Sequence, residues 1–350
     1  MTKKPFSLAC PTPLGFHEQI LMAHGGGGKL TQNLLEHIIR PALNNPLLQQ
    51  QHDSAMLQPP QGKLAFTTDS YVIQPIIFPG GDIGKLAVFG TVNDLAMSGA
   101  IPKYLSLSLI LEEGLQVETL QKIVHSIREA AEQTGVQIVT GDTKVVDGSD
   151  KPGLFINTSG IGTIEHQQTI GPASIQPGDQ IIVSGDLGRH GIAVMAEREG
   201  LTFETTLLSD LAPLSDIVQD LLQKDLTLHC LRDLTRGGLA TALFELAKQS
   251  QTTMYLFEKN LPVHQQVQSA CELLGLDPLY IANEGRFVAI VPPSDAEKVL
   301  EVLHHHGPDQ QPRIVGEVQE RKGAPLILKN LFGTQRSLPL LSGEQLPRIC

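Results

Sequence analysis

The 350-residue chain sets 26 basic against 37 acidic residues, a formal charge of −11. No basic run exceeds two residues, which excludes the clustered cations a nucleic-acid surface needs. With 4% aromatics and no Trp, base-stacking platforms are excluded too.

A hydrophobic content of 41% supports ordinary cores, and the length points to two domains. No stretch approaches the roughly 20 apolar residues of a membrane helix, and no apolar segment follows Lys3-Lys4 as a signal peptide requires. Cys10, Cys230, Cys271 and Cys350 are widely spaced without a CxxC pair. The expectation is a reduced, cytoplasmic protein, neither disulfide scaffold nor zinc ribbon.

Along the chain, a proline-rich lead-in gives way to the apolar run Ile20–Ala23, which stops at His24-Gly25-Gly26-Gly27-Gly28-Lys29. Helical spacing of Leu30, Leu34, Leu35 and Ile38 follows, so the glycines lead into a helix. Such a loop offers unobstructed N–H groups to an anion, although it equally serves as a hinge. It lacks P-loop spacing. After a Pro/Gln/Asn-rich connection, Leu64–Thr68 reads as a strand ending in Asp69-Ser70-Tyr71. Residues 83–97 read as an apolar helix interrupted by Asn93-Asp94, 103–111 as a strand and 116–133 as an amphipathic helix stopped by Gly135. Val136–Thr140 reads as a buried strand ending in Gly141-Asp142-Thr143-Lys144, and 155–164 as another strand.

A turn over Pro172–Asp179 marks the domain boundary. Beyond it a strand at 181–184 leads into the glycine turn Gly185–Gly191. Helices are expected near 214–223, 238–249, 263–274 and 295–305, with strands at 287–291, 313–318 and 325–328. Cys271 falls on the apolar stripe of its helix, buried and inert. His304-His305-His306 ends a helix with no second ligand cluster in view. From about residue 330 the chain reads as irregular, with too little apolar periodicity to pack as an element.

Asp69, Asp94 and Asp142 each follow or interrupt an apolar element, which places them at cavity edges. Carboxylates converging from separate elements suit a hard cation such as magnesium, whose remaining oxygens come from water and polyphosphate. Singly each also serves as a cap or turn residue. Lys144 stands two residues after Asp142, where a lysine can neutralise phosphate charge or move protons. Asp233, before Gly237-Gly238, reads as a possible helix N-cap. Glu284, between apolar neighbours, is a candidate buried carboxylate with a raised pKa, usable as an acid or base. The chain ends on Leu346-Pro347-Arg348-Ile349-Cys350. A terminal thiol is either incidental or a nucleophile with a site to visit.

Taken in order, HGGGGK, TTDSY, VNDLAMSGA, GDTKV, DLTRGG, NEG and the terminal PRIC resemble the HypE family of hydrogenase maturation proteins. That family sits within the aminoimidazole ribonucleotide (AIR) synthetase and selenophosphate synthetase superfamily. The likeness runs from about residue 20 to the C-terminus.

It implies a two-domain α+β fold of the PurM (AIR synthetase) type, paired as a homodimer through its N-terminal sheets with ATP near that interface. The implied domains are an N-terminal segment 1–40, an ATP-binding and dimerisation domain 41–168, a C-terminal domain 169–335 and a mobile tail 336–350. The implied activity is ATP-dependent dehydration of an S-carbamoyl group on the chain's own Cys350 to a thiocyanate. The carbamoyl group comes from HypF, and the cyano group passes to iron on a HypC–HypD complex, for the Fe(CN)2CO centre of [NiFe]-hydrogenase.

By the same resemblance Gly25, Gly26, Gly27, Gly28, Lys29, Asp69, Asn93, Asp94, Asp142 and Thr143 bind ATP. Asp69, Asn93, Asp94 and Asp142 bind Mg2+, and Lys144 and Glu284 hold and deprotonate the thiocarboxamide on Cys350. Residues 339–350, extended, reach roughly 40 Å, enough for an arm that swings between site and partners. The rivals are a small-molecule enzyme of the superfamily, of the selenophosphate synthetase or thiamine-monophosphate kinase type, and a non-enzymatic scaffold carrying a ligand on its thiol. No Cys stands close to the glycine loop, where a selenophosphate synthetase is expected to carry one.

Overall fold

A computed structural model of the chain describes residues 17–51, 54–58, 62–200, 206–307, 311–342 and 349. Cys10, Pro347, Arg348 and Cys350 lie outside the described residues.

The N-terminal half contains α1 (Lys29–Leu34), α2 (Arg40–Leu43), β1 (Lys63–Tyr71), β2 (Ile77–Phe78), β3 (Gly81–Asp82), α3 (Ile83–Met97), β4 (Ile101–Glu112), α4 (Val117–Thr134), β5 (Gln137–Val146) and β6 (Leu154–Ile164). A wider helical turn, Leu35–Ile39, fuses α1 to α2. The C-terminal half continues with β7 (Gln180–Val183), α5 (Arg189–Glu199), α6 (Ser215–Gln223), β8 (Cys230–Asp233), α7 (Gly238–Gln249), β9 (Thr252–Phe257), α8 (Gln265–Leu274), β10 (Phe287–Val291), α9 (Ala296–His306), β11 (Arg313–Glu320), β12 (Leu326–Lys329) and β13 (Gln335–Ser337).

Among the described residues, β1-β6-β4-β5 form a four-stranded sheet, antiparallel except at the β4/β5 edge. Period-two alternation gives it one face packed on helices. That packing is built by α4, whose Leu120, Ile123, Val124 and Ile127 are all buried, and by α3. Helix α3 is capped by Asp82, which accepts from the N–H groups of Gly84 and Lys85. All of α3 but Lys85 and Asp94 is buried, as expected of a helix that is apolar all round. The sheet's other face carries Phe66, 70% exposed, with Leu64, Ile110 and Val146 also exposed.

The second sheet runs β13-β12-β9-β11-β7-β10-β8, parallel only between β12 and β9. The two halves are not insulated from each other: one buried cluster joins Ile83, Phe89 and Leu105 to Ile192, Leu207, Val267 and Ile281.

Several expectations need correction. The glycine turn Gly185–Gly191 is only the entry to α5, whose polar Arg-His start hid its periodicity. Strands β8 and β9 were not expected. Gly141-Asp142-Thr143-Lys144 lies inside β5, not after it, because pairing with β4 extends the strand through its polar end. Asp233 ends β8, and the N-cap of α7 is Gly237. Past residue 330 the chain does pack: Gln335–Ser337 pairs with β12 and Leu338 is 1% exposed. The Tyr280 hydroxyl also donates to the Pro339 carbonyl (2.7 Å).

Candidate active site

A cleft of ≈ 740 Å³ opens between the halves, lined by Asp69 and Tyr71 of β1, Asp94 of α3, Arg232 and Asp233 of β8, Arg236 and Glu284. Strand alternation turns Asp69 and Tyr71 to the same face of β1. Asp94 is the one acidic residue of α3, and the Thr67 hydroxyl donates to its Oδ2 (2.8 Å). Asp233 arrives on β8, paired opposite Phe287 of β10.

Glu284 is 3% exposed and is held by its backbone. Its N–H and that of Gly285 both donate to Asp210 Oδ2, at 3.2 and 3.0 Å. A Cβ at position 285 would stand 2.0 Å from the Asp210 carbonyl oxygen, so only glycine allows that approach. Arg286 anchors the other side through the buried Asp186 (Nη2 to Oδ1, 2.7 Å).

These carboxyls raise one another. Burial, opposed by the Thr67 hydrogen bond, pushes Asp94 up. Burial and then Asp94 push Asp233 up to about 7. Burial, then Asp233 and Asp210, push Glu284 well above the carboxylate range. Among the described residues, Glu284 Oε1 and Asp210 Oδ1 are buried without a hydrogen-bond partner, a costly state that a ligand or cation relieves.

The expected ligand set divides. Asp69 and Asp94 share the cleft with Glu284. Asn93, one residue away, is buried with its amide committed: Nδ2 donates to the carbonyls of Ala212 (3.0 Å) and Glu284 (3.3 Å), and Oδ1 accepts from Leu214 N–H (2.8 Å). It clamps the 206–214 segment beneath Glu284. Asp142, Thr143 and Lys144 lie on β5, at the opposite edge of the sheet from β1. Lys144 pairs with Asp142 there (3.1 Å), 65% and 61% exposed, and its hydrogen bond lowers the Asp142 pKa.

The glycine loop accompanies β5. A Cβ on Gly25 would meet the Val145 backbone nitrogen at 2.8 Å. Gly27 N–H donates to the Thr31 hydroxyl (2.9 Å), and Gly28 precedes α1, which begins at Lys29. A second cavity of ≈ 270 Å³ lies here, lined by Thr31, Arg40, Leu107, Thr140, Asp142 and Thr143 among others. The expected site residues of one chain therefore fall in two separate places.

Among the described residues no three His, Cys, Asp or Glu side chains form a ready-made metal cage. The oxygen donors Asp69, Asp94 and Asp233, which repel one another, nevertheless fit Mg2+, which takes one or two carboxylates and completes its shell from phosphate and water.

Residue 349 packs back onto the fold. Ile349 is 7% exposed, forms an antiparallel bridge with Ile73, and its carbonyl accepts from His190 Nε2 (2.6 Å). His190 Nδ1 contacts the Ser209 hydroxyl (2.8 Å), and Ser209 precedes Asp210. Sequence reasoning missed Asp186, His190, Ser209 and Asp210. They sit on loops or a polar helix start, where periodicity is silent, and only the Gly188–Gly191 punctuation hinted at a built turn. Within the triple histidine, His306 pairs with Asp220 (2.6 Å).

Two sequence models of AIR synthase related proteins match the chain, the N-terminal domain over residues 51–164 and the C-terminal domain over 176–329. With the observed topology they define a two-domain α+β protein of the PurM-like, AIR synthase class. Among curated relatives, the carbamoyl dehydratase HypE of Azotobacter vinelandii is 45% identical over 329 residues, 94% of this chain and 96% of that one. A hydrogenase maturation protein HypE solved in complex with ATP superposes with a TM-score of 0.90 at 43% identity, covering 94% of this chain and 99% of that one. A chain solved in a HypE–HypF complex gives 0.75 at 42% identity, covering 89% and 99%. The chain belongs to the HypE family. No helix of the described residues is long and apolar enough to cross a membrane.

Proposed function

We propose that the protein is an ATP-dependent carbamoyl dehydratase of hydrogenase maturation that acts on its own C-terminal thiol. The observation that carries this reading is the placement of Ile349, the residue before Cys350, against Ile73 and His190. The 209–210 segment links that point to Glu284. A non-enzymatic scaffold would have no reason to bury Ile349 on the frame that also holds Glu284.

Dehydration needs a leaving group and the loss of two protons. Attack of the S-carbamoyl oxygen on the ATP γ-phosphoryl group yields an O-phosphorylated imidate and ADP, releasing one amide proton. Loss of inorganic phosphate with the second proton leaves the S–C≡N product. Phosphoryl transfer of this kind depends on positioning and charge compensation. Bound Mg2+ would offset phosphate charge, held by Asp69, Asp94 and Asp233. Arg232 and Arg236 border the cleft as further cations.

Gly25, Gly26, Gly27, Gly28, Lys29, Asp142 and Thr143 are assigned to the nucleotide. Asn93 contributes by fixing the wall that carries Glu284. Glu284 takes an amide proton, and Lys144 holds or charge-stabilises the reacting group. HypF is the carbamoyl donor, consistent with the relative solved with it, and HypC–HypD the cyano acceptor.

Because Lys144 and Glu284 lie in different half-sites, the site is completed by a second copy. Two chains pair through the sheet face bearing Leu64, Phe66, Ile110 and Val146. A two-fold axis along the strands then sets the β5 edge of one copy over the β1 edge of the other.

The experiment is single-turnover dehydration of pre-carbamoylated protein. Glu284→Gln is expected to slow it by about 10²–10⁴-fold, the usual weight of a general base. Wild-type rates in both Glu284→Gln and Lys144→Ala would remove these assignments.

A further inference from the structure

We propose that His190 is a positioning residue, a latch that docks the C-terminal arm by gripping the Ile349 carbonyl in one fixed register. The proposal rests on the reading that Cys350 is the reacting thiol, and it supplies the device that delivers that thiol.

His190 is fully buried on the first turn of α5. A carbonyl oxygen only accepts, so the proton lies on Nε2, which reaches Ile349 O at 2.6 Å. Burial disfavours the imidazolium, so Nδ1 is an acceptor for the Ser209 hydroxyl at 2.8 Å. The Leu211 N–H donates to that same hydroxyl oxygen at 3.1 Å, leaving its proton for the ring. The tautomer is thereby set by the surroundings. Phe78 meets the ring edge to face, at 5.4 Å between centroids and 88° between planes, and fixes its plane.

The other side of Ile349 is held by the N-terminal half. Its bridge to Ile73 sets the strand register, and its side chain joins the buried cluster that spans both halves. Among the described residues, two backbone interactions and one buried side chain therefore hold residue 349.

The frame that grips Ile349 also carries Glu284. From His190 the contacts run to Ser209, then along the chain to Asp210, whose carboxylate takes the Glu284 and Gly285 N–H groups. Residue 349, the position these contacts fix, is the immediate chain neighbour of Cys350. Among the described residues, release of Ile349 costs one hydrogen bond, one bridge and the exposure of one isoleucine, which suits a contact made and broken on each cycle.

The test is thiol alkylation of the folded, full-length protein, followed residue by residue by mass spectrometry. Cys230 and Cys271, both buried, are internal controls. His190→Ala is expected to raise the Cys350 rate several-fold, up to about tenfold for one lost hydrogen bond, with Cys230 and Cys271 still protected. His190→Gln, whose amide can donate to the same carbonyl, is expected to restore most of the protection. An unchanged Cys350 rate in His190→Ala would overturn the proposal, as would an equal rise at all three cysteines, which marks general loosening.

Should His190→Ala fail to fold, Ser209→Ala carries the same test. A smaller rise confined to Cys350 supports the latch, and no rise overturns it. Alkylation needs neither ATP nor a carbamoyl group. A latch that behaves as described in a wild-type protein unable to dehydrate would sink the dehydratase reading and leave the latch standing.

Discussion

Glu284, Asp233 and Asp94 stand close enough to disfavour one another's charge, and the protein bears that cost in its resting state. Asp233 shows the consequence most directly. Its folded pKa of about 7 lies above the ordinary 3.8, so the folded state holds a proton that the unfolded state has lost. Its favourable contribution is intact below about pH 4 and is lost as pH rises through about 7. Asp233→Asn keeps the shape without the charge. The variant should match wild type near pH 4 and exceed it in stability above pH 7, by at most about 4 kcal/mol. Denaturant unfolding without nucleotide, followed by circular dichroism because the chain has no Trp, measures it. Equal stabilities at pH 8 would remove Asp233 from the repelling cluster.

At the scale of elements, the sheet face that bears Phe66, uncovered among the described residues, is the feature to probe. Phe66, Ile161 and Tyr104 lie in one register row across β1, β6 and β4, an apolar stripe of the kind that marks an interface. On the proposed pairing, Phe66→Glu should yield a monomer in sedimentation while the far-ultraviolet spectrum is retained; an unchanged sedimentation coefficient would place the contact elsewhere.

Periodicity made α3, α7 and β10 readable to the residue, because each is apolar over its whole length or along one clean stripe. It could not show α5, β8 or β13, which are short or begin on polar residues and owe their existence to pairing and tertiary burial. Motifs located Asp69, Asp94 and Glu284, since a carboxylate inside an apolar run is conspicuous. They could not separate Asp142 from Asp69, for strand order is not local information. Asn93 looked like a ligand for the same reason that Asp94 did, and only its three amide contacts show a clamp.

At the scale of the molecule, a site assembled from two copies makes a demand that a site within one chain does not. Mixing Lys144→Ala with Glu284→Gln protein and allowing subunits to exchange gives heterodimers with one intact site and one doubly damaged site. Dehydration should recover to about a quarter of the wild-type rate, since half of the dimers are mixed and half of their sites are whole. No recovery after verified exchange would return the site to a single chain.

The central claim is that Cys350 is both the carrier and the place of reaction. Its most direct test is the mass of the C-terminal peptide after HypF has loaded the chain. With Mg-ATP, the carbamoylated Cys350 peptide should lose the mass of one water, and in Glu284→Gln it should lose it about 10²–10⁴-fold more slowly. A wild-type adduct that keeps its full carbamoyl mass while ATP is hydrolysed would contradict the account.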